Sequence, residues 1–108
     1  MAISYLLSKG FTITERNYTK KVGEIDIVAQ KDHCLHFVEV KTVIKYGDHY
    51  NPFENVTPFK LRKLSRTILW YLAEKRVSLE TRWFIDAISI EINREARSAK
   101  LSVLWNIT

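Results

Sequence analysis

The chain has 108 residues, 46% of them hydrophobic, and a formal charge of +5 at pH 7. That length holds one domain, residues 1–108, with a modest core, and the positive balance points to a polyanionic partner. A single cysteine, Cys34, excludes an internal disulfide and fits a reducing cytoplasm. The longest uninterrupted apolar run, Ile68 to Ala73, falls far short of the roughly 20 residues that span a bilayer. The opening MAISYLLSKG has neither the basic n-region nor the small-residue cleavage site of a secretory signal.

Ala2 to Ser8 reads as the end of a helix, with Leu6 and Leu7 for packing and Gly10 as its C-terminal stop. Phe11 to Arg16 alternates weakly as a strand. Glu24 to Gln30 and Cys34 to Thr42 are stronger strands, joined by the polar Lys31-Asp32-His33 as a hairpin. Ile44 to Val56 has loop character. Thr57-Pro58 then opens a helix, with a side-chain oxygen at the N-cap and proline at the first helical position. Leu61, Leu64, Ile68 and Leu72 recur at helical spacing to about Lys75. Trp83 to Ile92 and Lys100 to Asn106 read as strands separated by a polar turn. The order is α-β-β-β-α-β-β. A strand–helix–strand crossover makes the third and fourth strands parallel, while the first three are antiparallel neighbours. The result is an α/β protein with a mixed sheet covered by helices.

The unusual stretch is GEIDIVAQKDHCLHFVEVKT, Gly23 to Thr42, where acids interrupt two strands. Strict alternation puts Glu24 and Asp26 on one face with Ile25 and Ile27 on the other. Glu39 and Lys41 likewise oppose Val38 and Val40. A two-residue turn at Asp32-His33 would set Asp26 opposite Glu39 and Glu24 opposite Lys41, with facing Cβ atoms about 4.5–5.5 Å apart. Two facing carboxylates repel, and either raise a pKa or bind a cation. Oxygen-only ligands favour Mg²⁺ or a similar hard ion, which accepts one or two carboxylates and completes its shell with water and phosphate oxygens. Lys41 is then placed to orient water or neutralise charge at a phosphate. The bland alternative for Glu-x-Lys is a solvated strand face with a weak ion pair.

These residues carry a family resemblance. GEIDIVA, HFVEVKT and VTPFKLRKLSRTILWYL, with AISYLLSKGFTITERN before them, resemble the YraN family of small bacterial proteins. That family is itself similar to Holliday-junction resolvases and other PD-(D/E)XK nucleases. The resemblance covers Ala2 to about Ile90 and implies a restriction-endonuclease-like αβββαβ core. It implies an endonuclease using Mg²⁺ or Mn²⁺ on DNA, including branched or junction DNA, with Asp26, Glu39 and Lys41 as the catalytic set. Asp26, Glu39 and the Val40 carbonyl would be the metal ligands, with Glu24 and Lys60 supporting. Ile25 stands where the motif's name has proline. Family members usually carry a Gly-Glu pair a few residues before the position of Ala2, ahead of the first residue here. Asp86 matches a strand acid of the family, as a structural residue or as a support for the site. A non-catalytic nucleic-acid-binding module of the same fold is the alternative reading. Because a junction has two strands to cut, a homodimer is the expected assembly.

Lys60, Arg62, Lys63 and Arg66 cluster at the start of the long helix, in pairs three or four residues apart. They can hold phosphates without reading bases, or form an ordinary solvated helix face. Tyr46, His49, Tyr50 and Phe53 are placed to stack on unpaired bases or to anchor the loop. His33, Cys34, His36 and His49 lack zinc-site spacing, and His36 falls on the face of Cys34 and Val38, opposite the acids. Trp70, Trp83 and Trp105 are expected to pack.

Overall fold

The computed structural model describes residues 1–44 and 51–107. Two helices and five strands follow in the expected order: α1 (Ala2–Ser8), β1 (Thr12–Lys20), β2 (Gly23–Lys31), β3 (Cys34–Ile44), α2 (Pro58–Glu74), β4 (Trp83–Asn93) and β5 (Ser98–Leu104). The strands form one sheet in the order β1-β2-β3-β4-β5. β3 and β4 are parallel, joined by the α2 crossover, and the other neighbours are antiparallel. This is a restriction-endonuclease-like αβββαβ core extended by β5. Among the described residues, no helix is long and apolar enough to cross a membrane.

Local chemistry sets the element ends. Gly10 adopts φ +90°, and its N–H donates to the Leu7 carbonyl while that of Phe11 donates to Leu6, both at 3.1 Å. That pair of bonds closes α1 in a Schellman turn, for which glycine carries no Cβ penalty. Asp32 and His33 have φ of +52° and +63°, the left-handed pair of a type I′ hairpin. They fix the β2–β3 ladder from Lys31↔Cys34 to Ile27↔Val38, the register read from the sequence. At the start of α2 the Thr57 hydroxyl accepts the Lys60 N–H at 3.2 Å, with Pro58 following it.

The sheet divides the core into two layers. On the α2 side Tyr18, Ile25, Val28, Phe37 and Ile85 pack against Leu64, Ile68 and Tyr71. On the α1 side Ile27, Ala29, Val38, Ile88 and Ile90 pack against Ala2, Leu6 and Phe11.

Two expectations are corrected here. Ile25 and Ile27 do not share a face: Ile25 belongs to the α2 layer and Ile27 to the α1 layer. The β1–β2 ladder passes from Arg16↔Ile27 to Tyr18↔Ile25 around Asn17, whose φ is +51°. The neighbouring strand bends there, and β2 changes phase at Asp26. Trp70 is not a packing residue but is 51% exposed. It lies two residues past the buried Ile68, about 200° around the helix axis, and so faces away from the sheet.

Candidate metal centre and nucleic-acid interface

β2 and β3 stop pairing beyond Ile27↔Val38, and the acids sit where the strands part. In place of a cross-strand pair with Glu39, Asp26 turns one oxygen, Oδ2, onto the Val40 N–H at 2.7 Å. The carboxylate thus substitutes for the backbone partner that Val40 would have had in a continuing ladder. Its other oxygen, Oδ1, has no hydrogen-bond partner among the described residues.

The parted strands leave a cavity of about 290 Å³ lined by Glu24, Asp26 and Glu39 from the sheet and by Lys60, Lys63 and Thr67 from α2. The close passage of α2 has a visible requirement. A Cβ at Gly23 would come within 2.5 Å of the Thr67 hydroxyl oxygen, so the β2 start must be glycine for the helix to seat here. Lys41 does not face Glu24 as an unbroken ladder would require. It lines an adjoining crevice with Glu39, Lys60 and Phe53. Glu39 and Lys60 border both spaces and so connect them.

Electrostatics mark Glu39 as the responsive group. Partial burial raises its pKa most, and the Asp26 charge raises it further, while Lys60 and Lys41 act in the opposite direction. The pair expected from the sequence is therefore electrostatically coupled, although not through a regular ladder. A cation between the two carboxylates would relieve that repulsion.

The donor set suits a hard divalent ion such as Mg²⁺, which needs only one or two protein carboxylates. Among the described residues, no three histidine, cysteine, aspartate or glutamate side chains gather into a preformed cage. The fit is that of a two-carboxylate site, Asp26 with Glu39. Val40 contributes its N–H to Asp26 and its side chain to the α1 layer.

The predicted basic group divides. Lys60 and Lys63 border the acid cavity; Arg62 and Arg66 are exposed on α2 but do not line it. Among the loop aromatics, Phe53 lies in the crevice beside Lys41, whereas Tyr46, His49 and Tyr50 fall outside the described residues. Trp83 packs edge-on against Phe37 at 5.8 Å between ring centroids.

One constellation was not anticipated. Asp86 is fully buried on the α1 side, with Oδ2 lying 2.6 Å from His36 Nδ1 and Oδ1 accepting the Asn106 N–H at 2.8 Å. Its carboxylate does not border the Asp26–Glu39 cavity, so of the two roles offered by the sequence the structural one matches its contacts. Finding the His36 contact in advance would have required the β3–β4 register, Val38↔Asp86, which places Asp86 diagonally across from His36.

The αβββαβ core with paired strand acids and a following lysine places the chain in the restriction-endonuclease-like class. Comparison with known proteins narrows this to a family. The model of the uncharacterised protein family UPF0102 matches residues 1–90. A UPF0102 protein of Campylobacter fetus is 44% identical over 94 residues, covering 87% of this chain and 80% of that protein. One from Sulfurovum sp. is 42% identical over 109 residues, covering 100% of this chain and 87% of the relative. One from Helicobacter pylori is 38% identical over 107 residues, covering 99% and 83%. The chain belongs to the UPF0102 family.

Proposed function

We propose that the protein is a Mg²⁺- or Mn²⁺-dependent endonuclease that hydrolyses DNA phosphodiesters, with branched or junction DNA as the substrate form. The observation that carries this reading is the convergence of Asp26, Glu39 and Lys60 on one cavity with Lys41 in the adjoining crevice. Asp26 and Glu39 hold the metal, with the Val40 carbonyl as a further oxygen donor. A divalent ion supplies Lewis acidity toward the phosphate and toward water. Lys41 orients the attacking water and stabilises charge on the phosphate oxygens. Lys60 offsets the doubled negative charge at Glu39, and Glu24 supports the site from the start of β2. Lys63, Arg62 and Arg66 carry phosphates along α2, giving salt-sensitive binding with little sequence preference. A homodimer acting on two strands fits this substrate.

The test is cleavage of linear, flapped and four-way DNA with Mg²⁺ or Mn²⁺. Wild-type protein should cut at least one form, and Glu39→Ala or Lys41→Ala should lower the rate by about 100-fold or more, the scale of losing an electrostatic contributor to the transition state. Cleavage that survived Glu39→Ala would end the proposal.

A second reading, a non-catalytic nucleic-acid-binding module, is favoured by one observation: an Asp26 oxygen is already engaged by the Val40 N–H. It calls for salt-dependent DNA binding without turnover and with no response to divalent metal.

A further inference from the structure

A larger hollow, about 580 Å³, opens on the α1 side of the sheet between α1, the β2–β3 turn and the segment after β5. It shares no lining residue with the carboxylate cavity. We propose that this hollow is a binding site for a small planar heteroaromatic bearing an anionic group, of the adenosine monophosphate type. The inference stands apart from the nuclease reading.

The walls are ring faces. Phe11 stacks flat on Trp105, with centroids 5.6 Å apart and planes within 9°. His36 stands edge-on to Phe11 at 4.9 Å, and Phe84 lies over His36 at 5.2 Å. Trp105 remains 42% exposed despite its stacking partner and lines the hollow, so indole surface is left there for another ring. Such faces bind a base by stacking, without regard to its hydrogen-bond pattern.

Orientation comes from His36. A carboxylate only accepts hydrogen bonds, so the 2.6 Å contact with Asp86 calls for a proton on Nδ1, and in the neutral imidazole that makes Nε2 the acceptor. Asp86 is itself held by the Asn106 N–H, which pins the carboxylate and through it the ring. An acceptor in an aromatic hollow is matched by an exocyclic amino group, which adenine supplies.

The rim is cationic. Lys31 donates to the Lys9 carbonyl at 2.6 Å, which holds its ammonium group 5.2 Å from the Phe11 ring, and Lys9 lines the same edge. Arg82 lies over Phe84 at 5.7 Å. Against the two lining lysines the rim carries one exposed acid, Asp32, and Arg82 adds positive charge from outside the lining. The charge of Asp86 is turned inward onto its two donors. A phosphate at the rim and a base on the floor use both halves of the site, and the volume lies in the range of small-ligand pockets.

The experiment is a titration of the full chain with adenosine monophosphate, followed by NMR of the His36 imidazole and Trp105 indole signals. Saturable shifts of both are expected, with Trp105→Ala and Lys31→Glu each weakening binding about tenfold or more, equivalent to at least about 1.4 kcal/mol. Adenosine and ribose 5-phosphate should each bind more weakly than the intact nucleotide. Both substitutions are at accessible positions, and thermal melts establish that the variants are folded; Trp105→Phe, which keeps a ring, should restore part of the affinity. The proposal is overturned by the absence of saturable shifts up to about 1 mM ligand. It is equally overturned by unchanged affinity in both folded variants, or by shifts confined to the Lys60–Lys63 side of the sheet.

Discussion

Asp26 and Asp86 are both aspartates on strands of one sheet, and they are treated in opposite ways. Asp86 is 0% exposed, and each of its oxygens meets a donor, His36 or Asn106. Asp26 is half-buried, spends one oxygen on the Val40 N–H, and directs its charge toward Glu39. A buried carboxylate with all its bonds made is held in one position and fixes its neighbours. One that is partly satisfied beside another acid retains capacity for a cation. The difference teaches that burial alone does not mark a functional acid; unspent acceptor capacity next to like charge does.

The largest expected effect follows from removing the fully bonded acid. Asp86→Ala removes a fully buried carboxylate together with the hydrogen bonds it receives from the Asn106 N–H and the half-buried His36 ring. It should cost about 3–5 kcal/mol, the range for breaking a buried, hydrogen-bonded charge. Asp26→Ala removes one bond but also relieves repulsion with Glu39, so about 1 kcal/mol or less is expected. Urea unfolding of both variants reads the contrast directly. Equal losses would break the distinction between an anchoring acid and an available one.

Next in size is Gly23→Ala. The added methyl would approach Thr67 Oγ1 to 2.5 Å from a backbone at φ +153°. Thr67 is fully buried and donates its hydroxyl to the Lys63 carbonyl at 3.1 Å, so it cannot swing aside without losing that bond. A loss of about 1–3 kcal/mol is expected from overpacking. Because Thr67 and Lys63 also line the acid cavity, divalent-ion binding should weaken in the same variant. Calorimetric titration with Mg²⁺ or Mn²⁺ measures that part. The Asp86 variant, if kept folded at low temperature, should bind the ion as the wild type does.

How far these sites could be read from sequence depends on which interactions are local. The Asp32-His33 turn and the Thr57-Pro58 helix start are decided within a few residues, and both stand where pattern reasoning placed them. The meeting of Asp26 and Glu39 followed from the turn. Its irregular geometry did not, because strict alternation assumes an undistorted neighbour and Asn17 in β1 is bent into a left-handed conformation. The His36–Asp86 contact depends on the register of two strands separated by α2, and no short-range rule sets that register. Trp70 is a different case. Its outward position follows from the 3.6-residue period measured from Ile68, so the signal was present, and the preference for buried tryptophan overrode it. Trp105 stacks as expected, but its partner Phe11 lies at the other end of the chain, beyond any short-range rule.

The smallest expected effect is on pH dependence and bears on the half of the comparison that concerns availability. Burial and the Asp26 charge raise the Glu39 pKa above that of an unfolded glutamate. Between those two values the folded state binds more protons than the unfolded one, so this residue's contribution makes stability fall as pH rises from the usual glutamate range, about 4.3, upward. Glu39→Gln should flatten that part of the profile. Asp26→Asn should flatten it only in part, since burial, the larger cause, remains. Urea midpoints collected from about pH 4 to pH 7 resolve the two slopes against the wild type. Divalent metal should reverse the sign: an ion held by the ionised pair releases the Glu39 proton, so metal-induced stabilisation must grow over the same pH interval in which the metal-free protein weakens. If metal-induced stabilisation stayed constant with pH, Glu39 would be excluded as a ligand even though its pKa is raised, and the coupling to Asp26 would then be a feature of packing alone.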